Sequence, residues 1–312
     1  MKKFLWLLLF PALLLPSCVK ESPEPIYVPE KVAREDRELI RTTEIEGIYY
    51  ALYTDNTCEI VEADPALYNN AVLNLPSYCN DCTVIAIADE VFSEASFTHV
   101  TLPLYLETVG KRAFQRSQLV ELTLPDTLVS LGEEAFNGCI RLEKVNFGKG
   151  LKEIPVGAFY GCRSLKEVCL PEGVTAIGEE AFGDLVALET LQLPSTLVTI
   201  DGYAFWHSGT EALTVSIPEG VTKIGTAAFG DTAWLKGQTA EFFTVGRGVL
   251  LRYNGSAESV TLPEEIRFIS NAFDGTGVRT LTLPEGCELA EDALTESGVE
   301  TLLQNGQSLE IK

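Results

Sequence analysis

The chain has 312 residues, 46% hydrophobic and 22% charged, which is the balance of a folded protein rather than a disordered one. Its 45 acidic and 23 basic residues give a net charge of −22, which excludes a general nucleic-acid binder and electrostatic docking on anionic lipid. With only two histidines, His99 and His207, histidine-rich metal sites and most triad chemistry are also disfavoured.

Residues 1–18 read MKKFLWLLLFPALLLPSC. Lys2 and Lys3 precede an apolar run from Phe4 to Leu15, too short for the ~20 residues of a spanning helix and suited to the core of a signal peptide. The ending Leu15-Pro16-Ser17-Cys18 resembles the lipobox of bacterial lipoproteins. That resemblance implies a signal peptide of residues 1–17 and lipid attachment at Cys18, which would hold the chain on a bacterial outer membrane, surface-exposed or else periplasmic. Residues 18–44, with Pro23, Pro25 and Pro29 among many charges, read as a lipidated tether.

Residues 45–83 are expected to form a β-rich N-terminal cap, with Ile48 to Tyr53 and Thr57 to Val61 pairing as strands. From residue 84 to 312 the chain repeats itself with a period near 23 residues. The clearest copy is LKEVCLPEGVTAIGEEAFGDL, from Leu165 to Leu185. A phenylalanine column runs Phe92, Phe114, Phe136, Phe159, Phe182, Phe205, Phe229 and Phe273, closing at Leu294. Most spacings are 22 to 24, except for 44 between Phe229 and Phe273. A Leu-Pro column, from Leu102-Pro103 to Leu283-Pro284, keeps step with it. Each unit reads as a short strand ending at proline, a second inward pair such as Val174 and Ile177, a bend at Gly178, and a short helical turn Glu-Glu-Ala-Phe whose phenylalanine plugs the interior. One unit cannot bury its own apolar face, so stacked copies should share a single continuous core. The fold class is therefore an α/β repeat solenoid with short parallel strands, tight turns and short helical turns. Residues 233–256 lack the pattern, and two β-rich runs around Gly246-Arg247-Gly248 predict an inserted hairpin.

The L-P, I-G and A-F signature, over roughly residues 84–300, resembles the BspA-like leucine-rich repeats of bacterial surface proteins. The resemblance implies an extracytoplasmic solenoid engaged in attachment or protein–protein contact, with no reaction assigned.

Chemistry is sparse. Cys79-Asn80-Asp81-Cys82 has C-x-x-C spacing but no second pair for zinc and no βαβ setting for redox work. A loop disulfide between two of Cys58, Cys79 and Cys82, or free thiols, both fit. Cys139 and Cys162 occupy one column and read as buried thiols packing as small hydrophobes. No catalytic, cofactor-binding or metal residue is expected. The remaining surface is the outward side of the strand ladder. One column there is His99, Glu121, Lys144, Glu167, Thr190 and Thr214, and the next includes Thr123, Asn146, Gln192 and Ser216. These ten residues are the candidate partner-binding face. The expected function is a non-catalytic cell-surface module for a protein or glycoconjugate partner. The alternative is a nutrient- or glycan-capture component or enzyme of the envelope.

Overall fold

The computed structural model describes residues 37–69 and 72–311, within a compact unit spanning residues 33–312. The signal peptide, Cys18 and most of the tether lie outside the described residues. The tether reading ends too late, because Leu39–Ile45 is already a strand, paired antiparallel with Ile48–Tyr53. Glu46 and Gly47, with φ of 53° and 81°, make the tight hairpin turn between them. Thr57–Ala63 pairs antiparallel with Ile48–Tyr53 on one side and parallel with Cys82–Ile87 on the other. Alternate residues of these strands, among them Tyr50, Leu52, Cys58 and Ile60, are buried. The antiparallel cap thus hands its edge to a parallel stack.

Two parallel ladders follow. The first runs through Val72–Asn74, His99–Thr101, Glu121–Thr123, Lys144–Asn146, Glu167–Cys169 and Thr190–Gln192, in that order. It resumes in Ser259–Thr261, Thr280–Leu283 and Thr301–Gln304, and ends in an antiparallel turn-back, Gln307–Leu309, over Asn305-Gly306. The second ladder is built from two-residue strands such as Thr108–Val109 and Ser130–Leu131, continuing in Glu153–Ile154, Ala176–Ile177, Thr199–Ile200 and Lys223–Ile224. Its pairing is interrupted after Ser130–Leu131. In neighbouring turns Gly132 N bonds Val109 O and Gly178 N bonds Ile154 O, each at 2.8 Å. The corresponding residue after Ile154 is Pro155, which has no N–H to give. The glycine in this column serves close approach rather than a bend. A Cβ at Gly132 would lie 2.4 Å from Gly110 C, so a side chain there would push two turns apart.

The expected helical turns at the Ala-Phe corners are not there. Among the described residues, helix is confined to Ala233–Lys236 and a 3-10 segment, Pro65–Asn69. The corners from Phe92 to Phe229 instead use left-handed residues placed symmetrically about the aromatic, while those at Phe273 and Leu294 keep only one, Gly275 and Asp292. Glu134 and Gly138 flank Phe136 with φ of 56° and 70°, and Glu180 and Asp184 flank Phe182 with φ of 55° and 59°. The reason lies in where the amides point. Phe136 N donates to Ala158 O at 2.9 Å, Phe159 N to Ala181 O at 2.9 Å, and Phe182 N to Ala204 O at 2.8 Å. A helix would direct these N–H groups back along its own chain, whereas here they form a third ladder between turns.

Inside the corners the phenylalanines stack. Phe114, Phe136, Phe159, Phe182, Phe205 and Phe229 follow one another at centroid separations of 5.2 to 5.5 Å, with ring planes within 6° to 11°. The single continuous core expected from the repeat is in fact two adjoining clusters. The hairpin of Phe242–Val245 and Val249–Tyr253 forms the wall between them. Successive strand residues face opposite ways. Accordingly Phe243 packs on the first cluster and Phe242 on the second, and Val249 on the first and Leu250 on the second, while the register shift at Phe243/Thr244 lets Leu251 join the first and Tyr253, paired with Phe242, the second. Trp234 closes the first stack edge-on to Phe229 at 5.0 Å. Tyr253 opens the next, 5.4 Å from Phe273.

Phe182 has ring neighbours on both sides and is fully buried, so Phe182→Ala should cost about 3–5 kcal/mol. The expected result is a clear fall in the urea midpoint followed by circular dichroism, with a smaller fall for Phe182→Leu.

Candidate interaction face

The outward side of the first ladder carries the predicted residues in register. Lys144 stands opposite Glu121 on one side and Glu167 on the other, and His99 stands opposite Glu121. Glu167 pairs with Thr190, and Thr190 with Thr214 through a single bridge. In the next column Asn146 pairs with Thr123, its side-chain amide donating to Thr123 Oγ1 at 3.0 Å. Gln192 lies one residue beyond the inward Leu191, and Ser216, exposed, follows the bridge. The strands hold this pattern because their middle residues, Leu122, Val145, Val168 and Leu191, are buried and fix which side faces out. His99, Glu121, Thr123, Lys144 and Asn146 are exposed, and Glu167, Thr190 and Gln192 are half-buried. The result is a mixed-sign, mostly polar plane with no enclosing wall. It suits contact with an extended surface rather than enclosure of a small molecule.

The two histidines do not meet on this face. His99 Nδ1 contacts its neighbour Thr98 Oγ1 at 2.9 Å. His207 sits on a corner, its Nδ1 2.9 Å from Asp184 Oδ1. Arg163 Nε donates to Asp184 Oδ2 at 2.7 Å and its Nη2 lies 2.6 Å from the same oxygen. The Asp184 side chain is 7% exposed. Sequence reading missed this three-turn cluster. The available signal was that residues 163, 184 and 207 each follow a column phenylalanine within four residues, in consecutive repeats.

The six thiols Cys58, Cys79, Cys82, Cys139, Cys162 and Cys287 are free and buried. Of the two readings open for the cap cysteines, the structure has the thiols. Cys79 and Cys82 flank a tight turn in which Asn80 and Asp81 have φ of 48° and 66°, and the strands on either side pair antiparallel. Burial pushes the Cys58 thiol up to about 12, with Cys79 and Cys82 adding to the effect. Cys139 and Cys162 donate to Phe114 O and Phe136 O, each at 3.2 Å, so each satisfies a carbonyl one turn back. Among the described residues no group of three or more His, Cys, Asp or Glu is placed to hold a metal ion. No described helix is long and apolar enough to cross a membrane.

The parallel ladders, stacked corners and capped ends define a leucine-rich repeat β-solenoid. Two stretches, residues 85–211 and 210–300, match the BspA type leucine rich repeat region in six copies, and the chain belongs to that family. Its fold is similar to that of a leucine rich cell surface protein from Faecalibacterium prausnitzii A2-165, with a TM-score of 0.58 at 24% identity over 85% of this chain and 76% of that one. A leucine-rich repeat protein from Eubacterium ventriosum gives 0.52 at 27% identity, covering 62% of this chain and half, 50%, of that one. No match was found among curated proteins.

Because burial keeps reagent away from them, the six buried thiols should resist alkylation in the native state. Iodoacetamide followed by mass spectrometry is expected to leave them unmodified at neutral pH and to label all six in denaturant.

Proposed function

We propose that the chain is a lipid-anchored, non-catalytic surface protein of the bacterial envelope that binds a protein partner across the outward face of its first ladder. The observation that carries this reading is the register of that face: Glu121, Lys144 and Glu167 alternate in sign on neighbouring strands, continued by the neutral Thr190 and Thr214. Alternating charge on a flat plane sets the position of a partner more than it adds affinity, while the polar ladder around it supplies many shallow contacts. The solenoid offers such a surface without a further domain. The Faecalibacterium relative is described as a cell surface protein, in keeping with the same location. Anchoring follows from the lipobox-like end at Cys18, where acylation would hold the chain and leave the repeat free to meet its partner.

Two experiments test the reading. Proximity labelling on intact cells carrying the full-length chain should return a recurrent neighbour protein. Direct binding of that protein should weaken about tenfold or more in the Lys144→Glu/Glu167→Lys variant. Glu153→Lys, on the exposed side of the second ladder, should leave it unchanged. Equal losses from both variants would assign binding elsewhere. For the anchor, Cys18→Ala should move the chain from the membrane pellet to the soluble fraction, and retention in the pellet would remove the lipoprotein assignment.

A further inference from the structure

The corner strip outside the phenylalanine stack is not uniform. Tyr160 and Trp206 occupy the same place two turns apart, each one residue after a buried phenylalanine. The turn between them has Gly183 at that place, and the turn after Trp206 has Gly230. Neither glycine is there for a left-handed backbone, because neither has a positive φ. A Cβ at Gly183 would lie 2.8 Å from Tyr160 Cδ2, and one at Gly230 would lie 3.0 Å from Trp206 Cδ1. Each ring is therefore seated against the bare backbone of the following turn. Both remain half-buried, with part of the ring in solvent.

The rise along the stack sets how far apart the rings stand. The Phe159–Phe182 and Phe182–Phe205 centroids are 5.5 Å and 5.4 Å apart. Equivalent positions two turns apart are thus separated by about 11 Å, a little over twice the strand spacing. That is close to the repeat length of a β-1,4-linked disaccharide, in which every second pyranose presents the same face. Gly183 adds no side chain between the two rings, and the Tyr160 ring lies against its backbone.

A row of planar polar groups borders the rings. Asp184 accepts from Arg163 on one oxygen and faces His207 Nδ1 on the other. A carboxylate accepts only, so His207 Nδ1 donates and Nε2 is left for a further hydrogen bond. Arg163 and His207 are 61% and 52% exposed, and Asp184 is enclosed beneath them. Beyond His207 an open depression of about 350 Å³ continues the strip, lined by Thr210, Glu211, Asp231 and Lys236 among others. The Arg163 charge is neutralised by Asp184, and that of Lys236 by Asp231 at 3.0 Å. With the chain at −22, an anionic polysaccharide would be repelled. Two half-buried rings at equivalent positions two turns apart, with donors and acceptors alongside and the nearby cations paired, suit an uncharged polyhydroxylated ligand.

We propose that this strip binds a neutral β-1,4-linked oligosaccharide, with pyranose rings on Tyr160 and Trp206 and hydroxyls bonded to Arg163 and His207. The site is separate from the ladder face and does not depend on the partner reading made for it. Isothermal titration of the full-length chain with cellohexaose, mannohexaose and chitohexaose tests it. At least one hexasaccharide is expected to bind, and its disaccharide, which reaches only one ring, should bind about tenfold more weakly. Tyr160→Ala and Trp206→Ala should each lower affinity about tenfold, while Trp206→Phe, which keeps a ring, retains most of it. Lys144→Glu on the ladder should have no effect. If circular dichroism shows that Trp206→Ala has lost its fold, Tyr160→Ala decides alone. No binding of any of the three at millimolar concentration, or undiminished binding by Tyr160→Ala, would overturn the proposal.

Discussion

The structure depends on one constraint: the backbone of each turn must hydrogen-bond to the next along its sides and at its corner. The two strand ladders supply part of these bonds and the Phe-to-Ala amide series at the corner supplies more. Turns joined in this way advance by one strand spacing, and every buried column repeats at that interval. Flat rings meet the requirement, since stacked phenylalanines fill the interior at 5.2 to 5.5 Å without altering the rise. The column three residues further on meets it differently. Ser117, Cys139, Cys162 and Ser208 are all small and buried, and the last three donate back to a phenylalanine carbonyl of the preceding turn. The cysteines there are hydrogen-bond donors of the right size.

What was legible in the sequence follows from the same constraint. A translational repeat writes itself as columns, so the strands, their register and the inward-facing residues could be read from spacing alone. Lys144 opposite Glu121 and Glu167 is a consequence of counting. The corners could not be read this way. Glu133-Glu134-Ala135-Phe136 has good local helix propensity, and only the bonds to the neighbouring turn, which no local window contains, hold Glu134 in the left-handed region. The divided core was hidden for a related reason. Phe242 and Phe243 are identical in type, and which cluster each joins is settled by the strand pleat and not by composition. The Arg163, Asp184 and His207 contact escaped because it joins three different residue types at slightly unequal spacings.

The seam at the hairpin shows how the stack tolerates an irregular turn. After Lys223–Ile224 the ladder pairing stops, and side chains take over part of the bonding. Ser270 Oγ donates to Gly225 O at 2.8 Å, and Asn271 Oδ1 accepts from Ala227 N at 3.0 Å. Arg247 N still reaches Val221 O at 2.8 Å. Backbone groups that a regular turn would have satisfied are thus satisfied by residues from the other side of the insertion, which limits the cost of breaking the repeat. The same region receives Trp234 and Phe243 as a plug, so the first core ends against aromatic carbon and not against water.

Freedom to vary is unevenly distributed in such a molecule. Inward columns are fixed by the neighbouring rings, and outward ladder residues are limited by lateral neighbours and by the need to remain β-formers. The position just after each corner phenylalanine is freer, because its side chain leaves the stack and is limited only by the side chain at the same place in the adjoining turn. It holds Ser93, Gln115, Asn137, Tyr160, Gly183, Trp206 and Gly230 in successive turns. A regular scaffold can therefore carry an irregular, chemically specific strip along one corner while its strand face stays uniform. The aromatic and planar polar groups occupy consecutive turns from Tyr160 to His207, and the corner opens into a depression beside His207 as the repeat nears the insertion. Trp206 and His207 stand one turn before the insertion, so the varied strip and the break in the repeat meet at that corner, and the scaffold concentrates its chemical variety where its regularity ends.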